Sequence, residues 1–162
     1  MVRLGDAFSP QQKQSAYDAT LVAGSILHLN QCRFVTPPKA KFVVLVGRDE
    51  DVCLLFLINS EPRHRPHQVR LRDLEYAFLT HDSYMNCSEA IDVLTATDIA
   101  AELAQGSAQY VGDLTADTIE EVLKETQQAR TLTGFHKKII YDALSAQRPM
   151  DGTDTVQPPA SQ

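Results

Sequence analysis

Three kinds of side chain in this sequence could act together on a phosphate: a concentration of lysines and arginines over residues 33–72, histidines at positions 64, 67 and 81, and hydroxyls close beside them. Lys41, Arg63 and Arg65 are of the type that holds a phosphate, and His64, His67 and His81 can serve as acid or base near neutral pH. These are the groups that metal-free cleavage of RNA needs: a base for the 2′-hydroxyl proton, an acid for the leaving oxygen, and cations around the phosphorus. His81-Asp82-Ser83 sets a base, a carboxylate and a hydroxyl in a row, although adjacent strand residues point to opposite faces and need not converge. His64 and His67 also read as solvated loop residues. Tyr76, Phe78 and Tyr84 offer faces on which unpaired bases stack, or else are core and cross-strand packing.

The charge is unevenly distributed. The chain of 162 residues carries a formal charge of −6, yet residues 33–72 hold eight basic side chains against four acidic ones, while the remainder holds seven basic and seventeen acidic. Such asymmetry suits one anion-binding face on an otherwise repulsive surface, or a set of solvated loop charges. Other chemistries lack their signatures. There is no G-x-S-x-G elbow around Ser60, Ser83 or Ser88, no P-loop and no GxGxxG. Cys32, Cys53 and Cys87 are odd in number and widely spaced, without a CxxC pair for a metal or disulfide framework, so they are expected to be reduced, with Cys53 in the core. No apolar run is long enough to span a bilayer and the N-terminus lacks an apolar signal region, which points to the cytoplasm.

The elements that must position these groups follow from pattern. At this length and 43% hydrophobic content one core is expected. Ser9-Pro10 reads as an N-cap and first helical position, opening a helix over 10–22 that Gly24 ends. Strands are expected at 25–29, 41–46 and 52–58, the last two joined by a polar hairpin turn at 47–51. Residues 67–72 alternate, placing Val69 and Leu71 on one face and Arg70 and Arg72 on the other. Further strands are expected within 76–79 and 84–94. Thr95-x-x-Asp98 is a capping box for a helix that ends at Gly106. Thr115 caps another, whose Ile119, Val122 and Leu123 form an apolar stripe, and Phe135, Ile139, Ala143 and Leu144 mark a last helix. Residues 148–162 read as a disordered tail, 24–147 as the globular domain and 1–23 as a helical extension. Strands followed by helices make this an α+β domain, most simply a small antiparallel β-barrel with packed helices.

Four segments, in order, resemble the MazF/PemK family: Gly24-Ser25-Ile26-Leu27, Lys41-Phe42-Val43-Val44-Leu45-Val46, Leu55-Phe56-Leu57-Ile58-Asn59-Ser60, and Asp82-Ser83-Tyr84-Met85-Asn86-Cys87-Ser88-Glu89-Ala90-Ile91-Asp92. Tyr110-Val111-Gly112-Asp113-Leu114-Thr115 and the helix after it are similar to that family's closing segment, so the resemblance spans about residues 24–128. It implies an SH3-like barrel, a homodimer, and a toxin endoribonuclease that cuts single-stranded RNA without a metal or other cofactor and is restrained by an antitoxin whose disordered tail covers the RNA groove. In that family an arginine opening the second strand and a serine or threonine ending the third are implicated in catalysis. The matching positions here hold Lys41, with Lys39 nearby, and Ser60, which the resemblance makes catalytic; the chemistry of the residues themselves adds His81 as acid or base, and the basic stretch offers Lys39, Arg63, Arg65, Arg70 and Arg72 as RNA-binding residues. Lysine lacks the bidentate fork of the guanidinium. That departure keeps open a second reading, a non-catalytic binding module on the same barrel that acts through a protein partner.

Overall fold

The computed structural model describes residues 8–62 and 66–147. The expected tail at 148–162, and Arg63, His64 and Arg65, lie outside the described residues. The chain runs α1 (Pro10–Thr20), β1 (Ser25–Cys32), β2 (Lys39–Asp49), β3 (Val52–Asn59), β4 (Gln68–Leu71), β5 (Ser83–Asn86), β6 (Ile91–Thr95), α2 (Ala96–Gln105), β7 (Ala108–Asp113), α3 (Ala116–Gln128) and α4 (Gly134–Ser145). The fold is α+β: one antiparallel sheet of seven strands in the order β4-β5-β3-β2-β1-β7, with β6 on the edge of β3.

The two long apolar runs are explained by burial on both faces. β2 pairs with β3 so that Val44 faces Phe56 and Leu45 faces Leu55. Val44, Val46, Leu54 and Phe56 point into a core closed by Ile119, Val122 and Leu123 of α3 and by Ile140 and Leu144 of α4. The alternate residues Val43, Leu45, Cys53 and Leu55 point the other way, into a core closed by Ile99 and Leu103 of α2. A strand covered on both sides reads as an unbroken apolar run, and here the alternation is between two cores. Cys32, Cys53 and Cys87 are all buried, and none is in a disulfide. Burial pushes the Cys87 thiol well above its usual range.

The helix ends follow their sequence signals. Thr95 Oγ1 accepts from Asp98 N at 3.0 Å and Asp98 Oδ2 accepts from Thr95 N at 3.0 Å, while Gly106 closes α2 at φ 82°. Ser9 and Gln12 form the same reciprocal pair ahead of α1, with Pro10 as the first helical residue. That helix packs on α2, and Gln14 Nε2 donates to Thr97 O at 3.3 Å. Thr115 caps α3 through Thr118 N.

Two expectations change. The hairpin turn is tighter than the polar stretch suggests: Asp49 still pairs with Val52, leaving Glu50, at φ 52°, and Asp51 to turn the chain. The strands expected within 84–94 are present as β5 and β6, which pair with opposite ends of β3. Residues 76–79 form no strand. Turns there carry Leu79 N→Tyr76 O and Glu75 N→Arg72 O bonds, and the buried Tyr76 hydroxyl donates to Thr118 Oγ1 at 2.7 Å, tying the segment to α3. No helix of the described residues is long and apolar enough to cross a membrane.

Candidate functional site

The open ends of β2 and β3 meet the 72–81 segment in a cleft of about 380 Å³. Lys39, Lys41 and Phe42 come from the start of β2, Ile58, Asn59 and Ser60 from the end of β3, Phe78, Thr80 and His81 from the turn segment, and Ser83 from the start of β5. Phe42 pairs with Ile58 across the hairpin. The next residues outward, Lys41 and Asn59, are therefore neighbours, and Lys41 Nζ donates to Asn59 Oδ1 at 3.1 Å. Both are half-buried, so the ammonium is held at one place instead of sweeping through solvent. Lys39, two residues along the same strand, is exposed and makes no ion pair among the described residues.

The floor is aromatic. The Phe42 and Phe78 rings lie 4.9 Å apart at 48°, with His28 4.8 Å from Phe42 and Tyr76 5.9 Å from Phe78. Tyr76 is core, as one of its two sequence readings has it, whereas Phe78 is half-buried and lines the cleft. Such a tilted cluster keeps the wall apolar and rigid beside the two lysines.

His81 is exposed on the rim, with Nδ1 3.1 Å from Thr80 Oγ1. The threonine hydroxyl can donate or accept, so it supports either tautomer and leaves Nε2 to give or take a proton. Asp82 does not orient this ring. Its Oδ1 accepts from Asp73 N at 3.0 Å, and its Oδ2 accepts from Arg70 Nε at 2.9 Å and from Arg70 Nη2. The Asp73 backbone N–H, and then the Arg70 guanidinium, hold the Asp82 carboxyl below the usual carboxylate range. Ser83 Oγ is turned back to donate to His81 O at 3.3 Å. His81, Asp82 and Ser83 thus do not converge as a relay.

The structure brings Lys39, Lys41, Ser60 and His81 to one cleft from three separate stretches of chain. Arg70 and Arg72 do not line it: Arg70 is bound to Asp82, and Arg72 Nη1 lies 3.9 Å from Glu75 Oε1. His67 is committed elsewhere, with Nδ1 3.0 Å from Glu125 Oε2 on α3. Asn59, Phe42 and Thr80 escaped sequence reasoning. Asn59 alone gave a signal, as the polar residue that ends the apolar run of β3. Among the described residues no group of three His, Cys, Asp or Glu side chains is placed to hold a metal ion. No protein-family model matches the chain, and no curated protein matches it.

Proposed function

We propose that the chain is a MazF/PemK-like toxin, a metal-independent endoribonuclease acting on single-stranded RNA, and that the cleft at the open ends of β2 and β3 is where it cuts. The observation that carries this reading is the gathering of Lys39, Lys41, Ser60 and His81 around one recess with an aromatic floor. His81 Nε2 takes the 2′-hydroxyl proton, the freed oxygen attacks the adjacent phosphorus as the bond to the 5′-oxygen breaks, and the 5′-oxygen leaves with a proton drawn from water, His81 giving its own proton back to solvent afterwards. The products are a 2′,3′-cyclic phosphate and a 5′-hydroxyl. Lys41, steadied by Asn59, and Lys39 balance the charge that grows on the non-bridging oxygens, and the Ser60 hydroxyl donates to one of them. We read the sheet as an SH3-like barrel on the same ground as the family resemblance, supported by the β1-β2-β3 meander and the splitting of β5 and β6 along β3. The reading further implies a homodimer and an antitoxin whose acidic, disordered segment lies over the lysines. Sedimentation at high concentration tests the dimer, since a monomer there would remove it.

The test of the activity is to incubate the purified chain with a long single-stranded RNA in the presence of a chelator and to map the ends, beside Lys41→Ala and Ser60→Ala. Discrete cuts that both variants lose are the expected result. One observation favours the alternative of a non-catalytic module that binds a protein: the carboxylate next to His81 is spent on Arg70, and a lysine stands where the resemblance calls for an arginine. Intact RNA at high protein concentration, with partner binding that survives Ser60→Ala, would replace the nuclease reading by that one.

A further inference from the structure

Beside the cleft lies a second, smaller one of about 230 Å³, bordered by Phe34, Asn86, Glu89 and Ile91 and sharing Lys39, Lys41 and Asn59 with the first. A phosphate held by the two lysines would therefore stand between two recesses. The smaller one falls below the roughly 300–1,000 Å³ of pockets that bury a drug-sized ligand, and suits a single ring system.

Asn86, which lines this recess, is only 3% exposed. Its Oδ1 accepts from Ser88 N at 3.1 Å and from Ser88 Oγ at 2.5 Å. Two donors on the oxygen fix which end of the carboxamide is which, and leave Nδ2 as a donor with no acceptor among the described residues. Nδ2 is reached from the recess that Asn86 lines, so an acceptor brought from outside can bond to it there. The Phe34 ring, half-buried on the same wall, gives an apolar face for a flat group.

We propose that this second cleft is a nucleobase subsite. The base of the nucleotide adjoining the lysine-bound phosphate enters it, lies against Phe34 and accepts a hydrogen bond from Asn86 Nδ2. A donor there favours bases that present a carbonyl oxygen, so the recess selects where the strand is placed. This inference rests on the RNA reading of the larger cleft.

The test uses the full chain and short single-stranded oligonucleotides made uncleavable by 2′-O-methylation, in four sets that differ in the base at one position. Affinities are measured by fluorescence anisotropy, and cut sites on unmodified RNA are mapped in parallel. Asn86→Asp keeps an oxygen for Ser88 and replaces the donor with an acceptor. It is expected to shrink the ratio between best and worst base roughly fivefold. Phe34→Leu is expected to weaken all four sets by roughly fivefold or more with their ranking kept. Thermal unfolding shows whether each variant is folded, and Phe34→Leu decides alone if Asn86→Asp is not. Wild-type cleavage with base preference and affinity untouched by both variants overturns the subsite and leaves the nuclease standing. Uncleaved RNA with an Asn86-dependent base preference in binding does the reverse. No binding to any set overturns both.

Discussion

The two ends of the β2–β3 hairpin are built for opposite purposes. Toward the turn, Val43–Val46 and Cys53–Phe56 are buried on both faces, and every side chain enters one of two cores. Toward the open end the same strands carry Lys39, Lys41, Asn59 and Ser60, half-buried or exposed around a cleft. The packed half holds the register, and the register sets Lys41 beside Asn59. The polar half contributes little to the core, so its residues are free to be chosen for chemistry. The two halves should therefore respond differently to substitution, the first in stability and the second in activity.

The largest effect belongs to the packed half. Phe56 is fully buried under α3 and α4, and Phe56→Ala should cost about 3–5 kcal/mol in urea unfolding, a loss that a domain of this size does not comfortably survive. At the open end Lys41→Ala should lower RNA cleavage about 10²–10³-fold, as removal of one charge-stabilising donor does, while unfolding shifts by no more than about 0.5 kcal/mol. If Lys41→Ala instead unfolds the protein, the two halves are not separable. Gly47 tests the boundary of the packed half. A Cβ there would stand 2.8 Å from Ile139 Cγ2 on α4, so Gly47→Ala should destabilise by about 1–3 kcal/mol by forcing the helix off the sheet. An unchanged unfolding midpoint would mean that α4 yields freely at that contact.

The smallest effect is electrostatic. Asp82 has a folded pKa depressed by the Asp73 N–H and Arg70. Its contribution is present above the unfolded value of roughly 3.9 and is lost as pH falls through the lower folded value. Asp82→Asn should accordingly flatten the acid limb of the stability curve and lower neutral-pH stability by the same amount, a small one because Arg70 is largely exposed and screened. Unfolding curves of the two proteins from neutral pH down into the carboxylate range check this.

The packed half was legible in the sequence because its signals are local. Val43-Val44-Leu45-Val46 can only be a buried strand or helix, Thr95 and Asp98 state their own capping box, and Gly106 its own exit. β7 was not read, because Gln109 and Tyr110 are exposed on an edge strand and show no apolar alternation. The aromatic residues near Tyr76 look like strand, yet Tyr76 is fixed by Thr118 on α3, a partner that sequence distance conceals. The same division holds for the site. Lys41 and His81 stood out by type and charge. The bond of Lys41 to Asn59, the turning of Asp82 toward Arg70 and the opening at Asn86 depend on register and loop geometry, which residue types alone do not determine.

The central claim, that the open end of the hairpin cuts RNA through its 2′-hydroxyl, is tested most directly by one oligonucleotide offered in two forms, all ribose and with a single 2′-deoxy residue at the mapped cut site. The ribose form should be cut to a 2′,3′-cyclic phosphate end and the deoxy form should bind but remain whole; equal cutting of the two, or cutting of neither, would contradict the account.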